Sequence, residues 1–282
     1  MNHCYDALLK RLSQTSSDPR RELALMAEYA VGIPADRFLL LLLTDALLLP
    51  SAEQERTLCA LVDRRVGGEP LQYLLGAADF YGRSFVVRPG VLIPRFDTEI
   101  LIDTALPCLK QGDEILDLCA GTGCIGLTLG AERQVFVTEV EKFDDAFSLL
   151  RENAARICPS ARLLQADVLT DPIDGTYDMI LSNPPYIPSG EISSLGADVR
   201  QEPITALDGG EDGLLFYRIL IQRFVRLLKE DGVMLFECGI GQAHSIEQML
   251  LSAGLTHPVR VRDYGGVERV VGARKSREVS HV

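Results

Sequence analysis

From about Leu101 onward, short apolar runs alternate with stretches of helical period, and this alternation limits the fold more than any other feature of the chain. Glu114 to Leu118, Gln134 to Val140, Arg162 to Gln165, Asp178 to Leu181 and Val233 to Glu237 read as strands. Ile125 to Gly130 opens a helix, and Asp144 to Arg156, Leu214 to Leu228 and Ala243 to Ala253 read as further helices. Parallel strands need long crossovers, and helices supply them. A doubly wound α/β sheet follows. Val259 to Arg262 and Arg269 to Val271 can finish it as an antiparallel pair across Asp263-Tyr264-Gly265-Gly266.

The residues before this region read as helices. Asp18-Pro19 is a start signal, a capping residue followed by Pro at the first helical position, and Arg21 to Ala30 follows it. Pro34 opens a Leu-rich helix. Ser51 and Gln54 fit a capping box for a helix that runs to Arg65 and ends at Gly67-Gly68. The apolar run from Phe38 to Leu49 contains Asp45 and stops at Pro50. A membrane span needs about 20 apolar residues, so this run reads as a buried helix. Asp79 to Val87 reads as a hairpin turning at Gly82. The expected organisation is a small helical domain over 1–75, a hairpin linker over 76–96 and an α/β domain over 97–282.

The formal net charge of −12 argues against a protein that grips nucleic acid with its whole surface, because phosphate neutralisation needs Lys and Arg. A local basic patch is still compatible with it. The seven cysteines are odd in number and irregularly spaced, with no C-x-x-C pair, which suits free thiols in a reducing compartment. The four histidines fit no ligand spacing, so no metal is expected. Asp6 and Lys10 interrupt the first turns, which does not suit a secretory signal. A cytoplasmic protein with no membrane span is expected.

Asp117-Leu118-Cys119-Ala120-Gly121-Thr122-Gly123 is a strand end followed by a small-residue turn into a helix. Small residues let the backbone approach a ligand closely. Alone, such a turn could serve a dinucleotide or simply pack a helix tightly on the sheet. Three features favour S-adenosylmethionine. The glycines are not spaced G-x-G-x-x-G. Asp117 is placed to orient the loop or to meet the cationic methionine end. An acid ends the next strand, where a carboxylate can accept both ribose hydroxyls. Spacing to the following helix favours Glu141 for that contact, with Glu139 as the alternative. Asp167-Val168 is placed to flank an adenine, Asp167 accepting from the exocyclic amine, or else Asp167 simply caps a turn.

Asn183-Pro184-Pro185-Tyr186 follows the apolar strand Met179-Ile180-Leu181. An amide nitrogen is a weak nucleophile because its lone pair is delocalised into the carbonyl. Methylating it needs acceptors that hold its N–H groups and aim the nitrogen. The Asn183 side-chain oxygen and the Pro184 carbonyl are the candidates. The two prolines fix their φ angles, and Tyr186 can wall a planar group. This is catalysis by positioning and preorganised electrostatics, with no special general base. A merely rigid polar turn is the competing reading.

Together these segments resemble the protein-(glutamine-N5) methyltransferases that modify peptide chain release factors, the PrmC or HemK family. The resemblance covers nearly the whole chain. It is carried by Glu69 to Gly76, by Gly90 to Glu99 with its Pro94-Arg95-Phe96-Asp97-Thr98-Glu99, by Asn183 to Tyr186, by Asp198 to Pro203 and by Asp208 to Leu214. It implies a Rossmann-like class I methyltransferase sheet with a small helical domain that contacts the protein substrate. It also implies S-adenosylmethionine as cofactor, and as substrate the glutamine of the Gly-Gly-Gln loop of class 1 release factors. Binding roles fall to Cys119 to Gly123, the acidic strand end, Asp167-Val168 and Asn183. Cys119-Ala120 replaces the commoner Gly-Thr, Phe96 a Pro, Gln201 a Phe, and Glu139 or Glu141 an Asp. The competing functions are a glutamine methyltransferase of a ribosomal protein, a nucleic-acid amine methyltransferase, and a non-catalytic binding module of the same fold.

Overall fold

The structure, a computed structural model, describes residues 3–44, 46, 50–197 and 199–276. Asp45, the run 47–49 and Asp198 lie outside the described residues. The chain divides into two compact units, one of Met1–Ala77 with Gly196–Gln201, the other of Ala78–Leu195 with Glu202–Val282.

The first unit holds α1 (His3–Leu12), α2 (Pro19–Val31), α3 (Ala35–Leu43), α4 (Ala52–Val66) and α5 (Leu71–Leu75). Local chemistry sets several boundaries. The Asp18 carboxylate accepts from Arg21 N at the start of α2, and Gly32 ends that helix at φ +79°. The Ser51 hydroxyl accepts from Gln54 N (3.3 Å) while the Gln54 side chain accepts from Ser51 N (2.9 Å), the reciprocal capping box the sequence suggests. Leu23, Met26, Phe38, Leu58 and Val62 pack with Tyr5 in a common core.

The second unit opens with the hairpin β1 (Ala77–Phe80) and β2 (Arg83–Val86). Then come α6 (Glu99–Ala105), β3 (Glu114–Leu118), α7 (Cys124–Arg133), β4 (Phe136–Glu141), α8 (Asp144–Ile157), β5 (Arg162–Gln165) and β6 (Tyr177–Ser182). The remaining elements are α9 (Leu215–Phe224), β7 (Leu228–Glu237), α10 (Ala243–Ser252), β8 (Thr256–Arg262) and β9 (Glu268–Arg274). The seven-stranded sheet has the order β5-β4-β3-β6-β7-β9-β8. Pairing is parallel except at β9, which runs antiparallel to both neighbours. This is the expected doubly wound sheet.

Alternation along each strand fills two layers. Ile115, Val137, Met179, Leu181 and Leu235 pack with α6, α7 and α8. Leu116, Leu118, Val140, Ile180, Met234 and Phe236 pack with α9 and α10. Burial on both faces is why these strands read as continuous apolar runs.

Three boundaries differ from the sequence expectation. Gln134 adopts a left-handed conformation (φ +54°) and caps α7, so β4 starts two residues later than expected. The expected helix over Leu214–Leu228 stops at Phe224, and a 3-10 turn over Val225–Leu227 leads into β7. That strand begins early because Asp231, at φ +62°, lets the chain kink where the pairing with β6 shifts register. Among the described residues no helix is long and apolar enough to cross a membrane.

Replacing Ser51 by Ala is expected to destabilise the helical unit by about 1 kcal/mol. The check is the urea midpoint of the helical unit's unfolding, with the midpoint of the second unit unchanged.

Candidate active site

The order of strands reverses between β3 and β6: the chain steps outward from β3 to β4 and β5, then returns to β6 on the other side. In open α/β sheets ligands bind at the carboxyl ends of the strands beside such a reversal. Leu118 and Ser182 are register partners, and the Ser182 hydroxyl donates to Leu118 O (2.5 Å). The turn starting at Cys119 and the tetrapeptide starting at Asn183 therefore leave the sheet side by side. Between them opens a cavity of ≈ 330 Å³.

Cys119, Ala120, Gly121, Thr122, Glu141, Asp167, Val168, Asn183 and Pro185 line this cavity. Val91, Leu92, Ile93 and Phe216 supply apolar wall. Cys119 holds φ +61°, a conformation that a non-glycine side chain disfavours. Its thiol, with that of Cys124, is pushed up by burial and stays neutral. The turn is braced from behind by buried Asn153, whose Nδ2 donates to Thr122 O (3.0 Å) and Val86 O (3.1 Å).

The two candidate ribose acids separate cleanly. Glu141 lines the cavity; its Oε2 accepts from Gly121 N (2.9 Å) and its Oε1 from Lys142 N (2.7 Å) and Phe143 N (2.8 Å). Glu139 does not line the cavity. It is the register partner of Asp117, and both side chains point into the core against α7. A Cβ on Gly126 would sit 2.4 Å from Glu139 Oε1, so a side chain there would have to displace the Glu139 carboxyl. Asp117 also lies off the cavity; its Oδ2 accepts from Gly126 N (2.9 Å), so of its two suggested roles the geometry gives it the orientation of the turn and helix.

Burial pushes the Asp117 carboxyl up to about 7, and burial together with the Asp117 charge raises Glu139 well above its ordinary value. The two carboxyls face each other across β3 and β4, and burial disfavours ionising both.

Asp167 faces the cavity at the end of β5. Burial works against its charge, but Lys142 at 2.9 Å and the N–H of Leu169 outweigh that and hold its pKa below the ordinary value. Gly123 does not line the cavity; at φ +79° it packs so closely that a Cβ there would lie 2.5 Å from Leu150. Pro184 and Tyr186 also stand off the cavity. The Tyr186 backbone is clamped instead, its carbonyl accepting from Gln242 Nε2 (2.8 Å). Side chains at Gly209 or Gly213 would strike the Tyr186 main chain, at 2.8 and 2.4 Å, and one at Gly239 would crowd Gln242 (2.9 Å) and the Tyr186 ring (3.1 Å). The Asp208–Leu214 segment thus braces the tetrapeptide, and its Asp208 and Gly210 also line the cavity.

Asn183 Nδ2 donates to Thr98 Oγ1 (3.3 Å), while Asn183 Oδ1 is buried with no partner. Sequence reasoning assigned no role to Thr98, Glu202 or Glu237. Glu202 Oε2 accepts from Ile93 N (3.1 Å), and its other oxygen pairs with Arg95, tying two walls of the cavity together. Glu237 ends β7 next to Asn183; an acid closing the strand beside the tetrapeptide was the available signal. Among the described residues no group of three or more His, Cys, Asp or Glu could hold a metal ion.

The fold is that of a methyltransferase: the family described as Methyltransferase small domain matches residues 95–202, and the PrmC N-terminal domain matches residues 5–76. A methyltransferase from Pyrococcus furiosus shares the fold at TM-score 0.56 and 18% identity, covering 70% of this chain and 91% of that one. The hMettl16 catalytic domain in complex with MAT2A 3'UTR hairpin 1 does so at TM-score 0.59 and 15% identity, over 78% and 82%. The release factor glutamine methyltransferase of Geobacter sulfurreducens is 39% identical over 228 residues, 80% of each chain. That of Escherichia coli strain K12 is 36% identical over 264 residues, 93% of this chain and 94% of the relative. The chain belongs to the release factor glutamine methyltransferase family.

The Asp117 shift has a calculable sign. An acid raised in the folded state stabilises the fold fully below its unfolded pKa, and loses that contribution as pH climbs through about 7. Glu139→Gln removes one of the two acids. The decline in urea midpoint between about pH 5 and 8 is expected to be shallower in that variant than in the parent.

Proposed function

We propose that this protein transfers a methyl group from S-adenosylmethionine to the side-chain amide nitrogen, N5, of the glutamine in the Gly-Gly-Gln loop of class 1 peptide chain release factors. The observation that carries the reading is Asn183, which lines the cavity and whose buried side-chain oxygen has no hydrogen-bond partner. A buried acceptor without a donor is costly, and an incoming amide N–H would satisfy it.

The residues present suit the cofactor. The backbone turn over Cys119–Thr122 gives close approach, and at Gly121 (φ +57°) the space a side chain would take is open. Glu141 keeps acceptor capacity for ribose hydroxyls beyond its three backbone contacts. Asp167 and Val168 would flank the adenine. When bound, S-adenosylmethionine supplies an electrophilic methyl group on a sulfonium.

The chain's own work is to aim the acceptor nitrogen. Asn183 Oδ1 takes one amide N–H, and the Pro184 carbonyl, between the lining residues Asn183 and Pro185, is the acceptor nearest in the chain for the other. The prolines fix both acceptors before substrate arrives, so little reorganisation is needed during the transfer. The released proton needs no dedicated base, since the nitrogen becomes acidic as the methyl is bonded. The helical unit, residues 1–75, contacts the release factor, and the setting is a reducing cytoplasm that suits the six free thiols of the described residues.

Mass spectrometry of the loop peptide after incubation with release factor and cofactor tests the proposal. One added methyl on the glutamine is expected. Asn183→Ala is expected to lower kcat by roughly 10²–10³-fold with much smaller change in cofactor binding. Methyl transfer to a ribosomal protein or a nucleic acid, with the release factor untouched, would overturn it.

A further inference from the structure

We infer that Gln242 is a positioning residue for methyl transfer: its carboxamide joins the loop after β7 and the turn at Gly213 to the carbonyl of Tyr186, and so holds the far end of the tetrapeptide that aims the acceptor nitrogen. The inference rests on the reading of the site as one that methylates an amide nitrogen.

The prolines alone do not hold the tetrapeptide. A proline ring locks φ and leaves ψ free. Two prolines in succession therefore keep one shape only if both ends of the run are anchored. The near end is anchored by the sheet. Ser182, the last residue of β6, is in register with Leu118 on one side and Phe236 on the other. Asn183 Nδ2 then donates to Thr98 Oγ1 (3.3 Å).

The far end is the peptide unit between Tyr186 and Ile187. Its N–H belongs to Ile187 and donates to Leu207 O (2.9 Å). Its carbonyl belongs to Tyr186 and accepts from Gln242 Nε2 (2.8 Å). A peptide unit is planar, and this one is held at both of its polar groups. It cannot swing, so the prolines span two fixed points.

Gln242 does this in place of a local role. It is the N-cap of α10, a position where a short polar side chain usually accepts from the first turn. The Gln242 side chain makes no capping bond. Its Oε1 accepts from Gly239 N (2.9 Å) instead, and its Nε2 reaches Gly213 O (3.3 Å) as well as Tyr186 O. These partners fix which end of the carboxamide points where, because an N–H must meet the oxygen and two carbonyls must meet the NH2. Gly213 leaves room for it: a Cβ there would lie 2.6 Å from Nε2. A capping rule set aside by a side chain with every partner elsewhere is the pattern expected at a functional site.

Three main-chain segments thus meet on one amide. The stretch containing Gly213 supplies Asp208, Gly210 and Leu215 to the cavity lining, and its Gly209 N donates to Ile187 O (2.8 Å). Gln242 does not line the cavity and acts only through the main chain of residues that do or that adjoin them. Its carboxamide makes no bond to the cofactor turn over Cys119–Thr122. Losing it should therefore misplace the acceptor nitrogen and leave the cofactor bound.

The test uses the full chain with release factor and S-adenosylmethionine, reading methylated loop peptide for kcat and calorimetry for cofactor Kd. Gln242→Met keeps the length and removes both bonding groups. Gln242→Glu keeps an acceptor for Gly239 N and sets an oxygen against the carbonyls of Tyr186 and Gly213. Gln242→Lys keeps a donor for those carbonyls and loses the acceptor. Met and Glu are expected to lower kcat by roughly 10–10²-fold while cofactor Kd stays within about threefold, and Lys is expected to exceed Glu in kcat by at least about threefold. The inference is overturned if Met and Glu both stay within about threefold of the parent kcat, if Lys is no better than Glu, or if cofactor binding falls as far as kcat. Should the variants fail to fold, amide hydrogen exchange in the parent decides. Ile187 and Gly239 amides exchanging as slowly as those of β6 support the strut, and exchange at the rate of an unprotected loop refutes it. A parent enzyme that leaves the loop glutamine unmethylated removes the functional reading itself, a different outcome from an active parent with indifferent variants.

Discussion

The pairing of β3 with β6 is the constraint on which the site depends. Leu118 opposite Ser182 fixes the register, and a shift of one residue would turn every side chain of the strand to the other layer. Because the chain departs from β3 in one direction and returns to β6 from the other, no crossover covers the carboxyl edge between them. The Cys119 turn and the Asn183 tetrapeptide are therefore neighbours by topology, although 64 residues separate the hydrogen-bonded pair Ser182 and Leu118.

That same edge concentrates acids. Asp117, Glu139 and Glu237 are buried in the second unit, each with a carboxyl oxygen that has no partner. The first two share the face that meets α7, where the bare backbone of Gly126 lets the helix approach closely. Glu141, two residues beyond Glu139, keeps the same face but passes the end of the strand and reaches the cavity. A two-residue step along one strand thus separates an acid packed against α7 from one that faces the cavity.

Much of this was legible in the sequence, for definable reasons. The sheet was readable because strands buried on both faces leave continuous apolar runs, and the α4 boundary because Ser51 and Gln54 carry their own partners. The tetrapeptide and the cofactor turn were readable because each follows a strand directly. What was hidden depends on pairing between distant segments. No periodicity could reveal α6, only seven residues long, or show that Gln134 would cap a helix in a left-handed conformation. Only the register of β3 with β4 separates Glu139 from Glu141, and only the register of β6 with β7 brings Glu237 to Asn183.

The three glycines around Tyr186 alter how inactivating substitutions on this surface should be interpreted. Gly209, Gly213 and Gly239 come from two separate loops and have no functional group to offer a ligand. Yet each has a missing side chain where Tyr186 or its carbonyl needs the room. Damage there would travel through main-chain displacement of the tetrapeptide. A map of inactivating positions would consequently draw an outline wider than the cavity lining, its outer ring marking a mould around the tetrapeptide.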